Sequence, residues 1–271
     1  MRYPALPSRR GPLLALFLLL SLFMTACSTI PPAAREALAP QGTMRAAINF
    51  GNPILANKDA SGQPVGVSVD LARELASRLG VKLELVTFTA AGQVVEALKA
   101  DQVDVAFVAI DPLRGQDVRY SAAYVVIEGA YLVRQDSPLQ RNEEVDRPGQ
   151  RIAVGKGSAY DLYLSREIKQ ATLERAPTSP AVVDYFVANQ LEVAAGVKQQ
   201  LEADARRVPG LRLLPGRFMV INQAMGTPRV RNEAGVAYLR DFVEEMKASG
   251  FVAQALQRHK IEGAAVAPAE R

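Results

Sequence analysis

The sequence contains one cysteine, Cys27, and one histidine, His259, among its 271 residues. A single cysteine excludes an intramolecular disulfide, and the lack of a Cys/His cluster excludes a zinc site built on those ligands. The GxSxG motif of serine hydrolases and the HExxH motif of zinc proteases are also missing. His259 falls in the last predicted helical segment, where we interpret it as a surface residue. We therefore expect no metal, no cofactor and no catalysis of these kinds.

The first 26 residues are interpreted as a signal peptide. Arg9 and Arg10 precede an apolar run over residues 13–24, which is too short to cross about 30 Å of hydrocarbon and is typical of a secretory h-region. The run leads into the sequence MTAC, which ends at Cys27 and resembles a bacterial lipobox with Met in place of the usual Leu. We expect Cys27 to carry a lipid anchor; an incidental thiol near the cleavage point is the alternative.

Charge and composition restrict the class of partner. Removal of residues 1–26 takes away three arginines and no acidic residue, so the formal charge falls from +4 to +1. No basic tract interleaved with aromatic residues remains, and we expect no nucleic-acid partner. Residues 27–42 are rich in Ala and Pro and are predicted to form a tether to the lipid. Residues 263–271 are predicted to be a disordered tail.

Between these ends, strand and helix patterns alternate. Leu71, Leu75 and Leu79 lie four residues apart and predict an amphipathic helix over residues 69–79. A buried strand is predicted over residues 103–109 because the run is apolar throughout. The order β-α-β-α-β favours a parallel sheet with crossover helices.

The same rhythm restarts at Arg151, after a polar connection. We therefore predict an α/β fold with two lobes, each a mostly parallel sheet flanked by helices. Residues 43–133 and 224–262 would form the first lobe and residues 134–223 the second. Two chain crossings would join the lobes and leave a cleft between them.

Two features point to an anion in that cleft. Arg114 follows the strand that ends at Ala109, and ligands of open α/β sheets bind beyond the carboxyl ends of the strands. A guanidinium there is a planar fork that suits a carboxylate, although an ordinary surface arginine fits the spacing equally well. Gly157 and Ser158 form a turn before a predicted helix, whose N-terminus attracts anions. A simple β-α turn is the alternative for this second feature.

Four segments, in order, carry a resemblance to the family 3 extracytoplasmic solute-binding proteins, the polar-amino-acid receptors of ABC importers. Together they extend over almost the whole chain after the signal peptide. They are VGVSVDLA (65–72), DVAFVAIDPLR (104–114), RIAVGKGS (151–158) and KASG (247–250). The resemblance implies the type II periplasmic-binding-protein fold.

The resemblance also implies roles for single residues. Arg114 corresponds to the arginine that holds the α-carboxylate of the ligand. Ser158 and Ala159, with Gly157 beside them, correspond to the hydroxyl and backbone donors of the second lobe. Ala109 stands where the first lobe of relatives often has a serine or threonine, so any contact there would come from the backbone.

Two expected ligand contacts are missing. Relatives that bind amino acids usually have an aspartate near the position of Val197 for the ammonium group, and an aromatic residue near the position of Asn52. Phe50 is a candidate substitute for the aromatic residue. Asp111 and Glu128 are candidate substitutes for the aspartate, although Asp111 also fits turn chemistry, and Glu128 could equally be ion-paired near the hinge. Asn52 is a weaker polar candidate.

We therefore expect a periplasmic, lipid-anchored solute-binding protein, monomeric and not an enzyme. It would bind a small amino acid or related organic acid and present it to an ABC permease in the inner membrane. One alternative is an enzyme of the cyclohexadienyl or arogenate dehydratase type, with Glu128 as a positioned acid. Another is a ligand-sensing partner of a membrane receptor.

Overall fold

The computed structural model describes residues 30–270. The predicted signal peptide, the predicted lipidation site Cys27, residues 28 and 29 of the predicted tether and Arg271 lie outside this range. None of the helices within residues 30–270 combines the length and the apolar character needed to cross a membrane.

The described chain contains eight α-helices and twelve β-strands, with three short 3-10 helices between them. The helices are α1 (Pro32–Leu38), α2 (Val67–Leu79), α3 (Ala91–Lys99), α4 (Ala159–Glu167), α5 (Val182–Ala188), α6 (Lys198–Arg207), α7 (Glu233–Ala248) and α8 (Phe251–Arg258). The strands are β1 (Thr43–Asn49), β2 (Asn57–Lys58), β3 (Pro64–Val65), β4 (Lys82–Phe88), β5 (Val105–Ala109), β6 (Val118–Arg134), β7 (Arg151–Gly155), β8 (Thr172–Ala176), β9 (Val193–Val197), β10 (Leu211–Leu213), β11 (Met219–Pro228) and β12 (Ala265–Val266).

The sheet is parallel at both ends and antiparallel in the middle. Its order is β4-β1-β5-β11-β6-β9-β7-β8, while β10 and β12 pair with β6 outside this path. We call β4-β1-β5 the first half of the sheet and β9-β7-β8 the second half; within each half the strands run parallel. The predicted α/β class with parallel units is confirmed, whereas the predicted lobe boundaries remain a prediction.

Two long strands connect the halves. Strand β6, of 17 residues, pairs with β11 over its first part and with β9 near its end, both antiparallel. Strand β11 also pairs with β5, with Gln223 opposite Ala109. These strands are the two crossings that the sequence predicted.

Both faces of the second half are buried. Ile152 and Val154 of β7 belong to one hydrophobic cluster, whereas Ala153 between them belongs to another. Successive side chains of a strand point to opposite faces, so this strand is covered on both sides. A strand buried on both faces reads as a continuous apolar run, as the sequence of β5 and β7 does.

Helix α2 begins two residues before its predicted start. The structure places the N-cap at Gly66, and the side chain of Ser68 in the first turn is buried with its hydroxyl 3.3 Å from that of Tyr124. The C-cap is Gly80 in the left-handed conformation, with φ of 62°, which glycine adopts without steric cost. The predicted end of this helix is therefore confirmed.

The predicted tether differs from the structure. Helix α1 occupies residues 32–38 and packs against α7, with Ala34 and Leu38 fully buried. The Asn232 side chain, at the N-cap of α7, donates to the Ala33 carbonyl at 3.2 Å. The segment is ordered because its apolar residues are buried against a long helix, whereas its composition alone predicted a tether.

The predicted disordered tail also differs. Strand β12 pairs with β6 at Val125 and Val126, and the amide of Ala267 donates to the Tyr124 carbonyl at 3.1 Å. The ammonium group of Lys247, on α7, donates to the Pro268 carbonyl at 2.8 Å. The tail thus pairs with a stretch of β6 that also pairs with β11, along the other edge of the strand and before the pairing with β9 begins at Gly129.

Candidate functional site

The carboxyl ends of parallel strands from both halves meet at one cavity. Asn49 ends β1 and Ala109 ends β5 on the first side; Val197 ends β9, and the turn after β7 leads to Ser158 on the second side. All four residues line the cavity. This is the position at which open α/β sheets bind ligands.

The cavity is small. The space between its walls has a volume of about 30 Å³, far below the roughly 300 Å³ at which ligand pockets begin. The two walls lie close together, and they must part to admit a ligand.

Arg114 is the cation of the cavity. The residue is 4% exposed and lies in the 3-10 helix that follows β5. Its guanidinium donates to the Ala109 carbonyl at 3.1 Å and, across the cleft, to the Gly157 carbonyl at 2.8 Å. Burial lowers the pKa of Arg114 from its usual value, partly offset by Tyr120 and Asp111, yet a guanidinium stays charged in proteins.

No carboxylate within residues 30–270 forms an ion pair with Arg114. The neighbouring Asp111 accepts a hydrogen bond from the amide of Leu113 at 2.8 Å and pairs with Arg166, of helix α4, at 2.9 Å. Asp111 therefore builds the turn, as the sequence favoured, and bridges the two sides of the cleft. Because Asp111 is already paired and does not line the cavity, the structure does not place it as an ammonium partner.

The first turn of helix α4 faces Arg114 from the second side. Ser158 is its N-cap, and the Ser158 hydroxyl accepts from the amide of Asp161 at 3.0 Å. In return, the Asp161 carboxylate accepts from the amide of Gly157 at 2.8 Å and pairs with Arg175 at 3.0 Å. First-turn amides such as that of Ala159 have no partner within a helix, so this end of α4 offers hydrogen bonds to an anion.

Gly157 allows the two walls to approach, and Gly155 allows close packing within the second wall. Gly157 has φ of +70°, and a Cβ there would lie 3.3 Å from the Cα of Gly92, at the start of α3. At Gly155 a Cβ would lie within 2.8 Å of both the Ser179 and the Tyr160 hydroxyl oxygens. Side chains at these positions would therefore collide with their surroundings or separate the walls.

Tyrosine hydroxyls complete the polar surroundings. Burial raises the pKa of Tyr160, although contacts with Ser179 and Ser158 oppose the shift. Burial likewise raises the pKa of Tyr120 to about 12, against the opposing charge of Arg114. Both hydroxyls are therefore protonated at neutral pH and can donate hydrogen bonds.

Three amide side chains also line the cavity. Asn49 is the last residue of β1, Asn52 lies in the loop that follows, and Gln223 comes from the crossing strand β11. The Asn52 side-chain oxygen is buried and accepts no hydrogen bond from the described chain. Asn52 was predicted from the sequence, whereas the lining residues Asn49, Gln223, Ser179 and Tyr160 were not. A polar residue within the apolar run of β11 was the available signal for Gln223.

Besides Asp111 and Gly157, the predicted residues Glu128 and Phe50 also lie outside the cavity lining. Glu128 pairs with Arg217 at 2.6 Å and Lys198 at 3.2 Å, and the bond from Arg217, supported by Lys198, lowers the pKa of Glu128. The ammonium nitrogen of Lys58 lies over the ring of Phe50, 5.2 Å from the ring centre. The structure therefore does not bring Glu128 or Phe50 together with Arg114.

The remaining predicted residues lie at the cleft. Ala109, Asn52, Ala159 and Val197 line the cavity with Arg114 and Ser158, and Gly157 accepts from Arg114. Their roles as ligand contacts remain predictions. Within residues 30–270, no group of three or more His, Cys, Asp or Glu side chains is arranged to hold a metal ion.

Solved structures share the fold at low sequence identity. A solute receptor for L-cysteine of Neisseria gonorrhoeae matches with a TM-score of 0.72 and 20% identity, covering 83% of this chain and 92% of that one. An ancestral amino acid-binding protein, described as a precursor of cyclohexadienyl dehydratase, matches at 0.69 and 20%, covering 83% and 98%. A histidine kinase sensor domain with similarity to periplasmic binding proteins matches at 0.71 and 19%, covering 83% and 98%.

These likenesses confirm the predicted type II periplasmic-binding-protein fold. A search of curated proteins finds no significant match to this sequence. The model of the bacterial extracellular solute-binding proteins, family 3, matches residues 45–261, which include both halves of the sheet and the cleft between them. The chain therefore belongs to the bacterial extracellular solute-binding proteins, family 3.

Proposed function

We propose that this protein is a periplasmic solute-binding lipoprotein of an ABC importer, and that its cleft binds a small carboxylate-bearing solute. The observation that carries this proposal is Arg114, a guanidinium that is almost fully buried and forms no ion pair within residues 30–270. A buried charge is costly unless it is paired. A ligand carboxylate supplies the missing charge, and the guanidinium retains donors for it beyond the two that bond to carbonyls.

Both walls would contribute to binding. Arg114 approaches from the first side, and the first turn of α4, with Ser158 and the amide of Ala159, approaches from the second. A ligand that contacts both walls stabilises the arrangement in which they are close. Strands β6 and β11, which connect the halves, are the segments that would bend.

The cleft itself favours binding over catalysis. The dehydratase alternative requires a positioned acid, and its candidate, Glu128, is ion-paired with Arg217 and Lys198 away from the cavity. Among residues 30–270, none of those that line the cavity is acidic. A sensing role would use the same cleft for a different membrane partner, so it shares the ligand prediction.

The anchor and the partner complete the proposal. Cys27 would carry the lipid that holds the protein at the membrane, and the ligand-bound form would dock on the permease in the inner membrane. The family match supports extracytoplasmic solute binding. The role of Cys27 rests on the MTAC sequence alone.

Thermal unfolding of the full chain with a panel of amino acids and organic acids tests the proposal. A ligand at 100 times its dissociation constant adds about 2.7 kcal/mol, which raises Tm by roughly 5–10 °C for a domain of this size. We expect Arg114→Ala to weaken binding by about 100-fold or more, because it removes charge-assisted hydrogen bonds. A ligand-induced shift that survives in Arg114→Ala would refute the proposed site.

The control variant is Arg217→Ala. Arg217 is an arginine of the same chain that pairs with Glu128 and does not line the cavity. We expect the ligand-induced shift to persist in this variant. Loss of the shift in both variants would mean that arginine removal acts through the fold and not through the cleft.

A further inference from the structure

We propose that the ligand carries no positive charge beside its carboxylate, and that 2-hydroxy or 2-oxo carboxylates are therefore preferred over α-amino acids. This inference rests on the proposed function and specifies its substrate class. It is argued from the charges that line the cavity and from those immediately behind the lining.

The cavity has one formal charge. Within residues 30–270, Arg114 is the only charged residue that lines it, and the neutral polar residues include three amides and three hydroxyl-bearing side chains of the second wall. The N-terminus of helix α4 adds further positive potential. A monoanionic carboxylate brings the total charge of the closed cavity to zero, whereas a zwitterionic amino acid leaves it at +1.

Nearby carboxylates are already engaged. Asp111 pairs with Arg166, Asp161 pairs with Arg175, and Glu128 pairs with Arg217 and Lys198. None of these three acids lines the cavity. To reach an ammonium group, an acid would have to abandon an arginine, so an amino acid gains no ion pair to replace the water that its ammonium group loses.

The position on the second wall at which an acidic side chain could face an ammonium group is occupied by an apolar residue. Val197 lines the cavity at the carboxyl end of β9, and it is also the N-cap of helix α6. On the opposite side, the buried Asn52 oxygen accepts no bond from the described chain. A neutral hydroxyl on the ligand could donate to this oxygen, and the amides of Asn49 and Gln223 could donate to an oxo group.

Calorimetric titration of the full chain with sets of probe ligands tests the inference. Within each set, the ligands share a carbon skeleton. Suitable sets are L-alanine, L-lactate and pyruvate, and L-leucine with its 2-hydroxy and 2-oxo analogues. On the skeleton that binds, we expect the hydroxy or oxo acid to bind at least about tenfold more tightly than the amino acid, since an unpaired buried charge costs that much or more. Equal or tighter binding of the amino acid would overturn the inference.

A substitution of Val197 gives the converse test. In Val197→Asp we expect the preference to shift toward the amino acid by about tenfold or more, because the cavity gains a partner for the ammonium group. Aspartate is a favourable N-cap residue, so this position of α6 accepts it. Val197→Asn has the same shape without the charge, and the difference between the two variants isolates the charge. No difference in preference between them would count against the inference.

The outcomes separate this inference from the proposed function. Amino acids that bind best, with binding lost in Arg114→Ala, would overturn the substrate class and leave the carboxylate site intact. Hydroxy or oxo acids that bind equally well to wild type and Arg114→Ala would overturn the proposed site. If no carboxylate in the sets binds to the wild-type chain, both proposals fail.

Discussion

Two buried charges lie beyond opposite ends of strand β5, and they differ in their partners. Asp104, immediately before the strand, is fully buried and is held by Arg45 at 2.8 Å and Arg231 at 3.0 Å. Arg114, after the strand, is almost as deeply buried, but its guanidinium donates only to two backbone carbonyls within the described chain. One charge is paired by the protein, and the other is not.

This difference separates a structural charge from a functional one. When the protein itself pairs a buried ion, removal of either partner destabilises the folded state, because the other charge stays buried without compensation. A buried ion without an ion-pair partner costs stability, and such costs are typical of sites that bind ligands. In the second half, Glu192 is likewise paired by the protein, with Arg151 at 2.8 Å, at the end of the sheet away from the cavity, but both side chains are part-exposed.

Substitution at the paired end should have the largest effect on stability. Asp104→Asn removes the buried carboxylate that Arg45 and Arg231 share and leaves them only the exposed Asp101. We expect the free energy of unfolding to fall by about 3 kcal/mol, or Tm by roughly 6–12 °C. Urea unfolding measures this. The control is Glu233→Gln, which removes a carboxylate that is 72% exposed beside Arg119, and it should change stability by less than about 0.5 kcal/mol.

The matched substitution at the unpaired end sharpens the comparison. Arg114→Met removes the buried charge and two hydrogen bonds to carbonyls, effects that oppose one another. We expect the free energy of unfolding without ligand to change by less than about 1 kcal/mol. A loss as large as that of Asp104→Asn would show that Arg114 is structural, and the contrast drawn above would be wrong.

A smaller effect is expected for the charge pair that bridges the cleft. Asp111→Asn keeps the oxygen that caps the turn but removes the ion pair with Arg166, whose side chain is 40% exposed. We expect a loss of about 1 kcal/mol or less at low salt, and a smaller difference from wild type at high salt because exposed charges are screened. Urea unfolding at two ionic strengths checks this, and a loss that does not respond to salt would contradict it.

The smallest effect is a pH dependence at Glu128. Arg217 lowers the pKa of Glu128 in the folded state, so the pair stabilises the fold above the unfolded pKa and loses this contribution as the pH falls through the folded pKa. We expect the difference in stability between wild type and Glu128→Gln to be below about 1 kcal/mol near neutral pH and to vanish in acid. Unfolding curves at several pH values measure it; a difference that grows in acid would refute the assignment.

Local patterns were sufficient for most elements of the fold. The leucine spacing of α2, the apolar run of β5 and the glycine at position 80 each have a short-range physical cause, and each appears in the structure. The placement of Arg114 could also be predicted, because the carboxyl end of a buried parallel strand is a general ligand position.

The remaining features depend on distant partners. Gln223 reaches the cavity because β11 pairs with β5 in a register that sets it opposite Ala109, and no local pattern encodes that pairing. Helix α1 and strand β12 are ordered by α7 and β6 respectively, although their composition is typical of linkers. Short segments of this kind depend on tertiary contacts for their stability.

Because Gly92 and Gly157 are in contact across the cleft, the size of the residue at position 92 can control the width of the cleft. A Cβ at Gly92 would lie 3.7 Å from the Cα of Gly157, in ordinary contact, and Gly92 lies in helix α3, where alanine is the better helix former. Alanine therefore fits at position 92, whereas each longer side chain acts as a spacer of increasing length between the walls. Substitutions of increasing length at position 92 could therefore be used to tune how sensitively a fluorescent biosensor built on this protein responds to its ligand, without altering any group that lines the cavity.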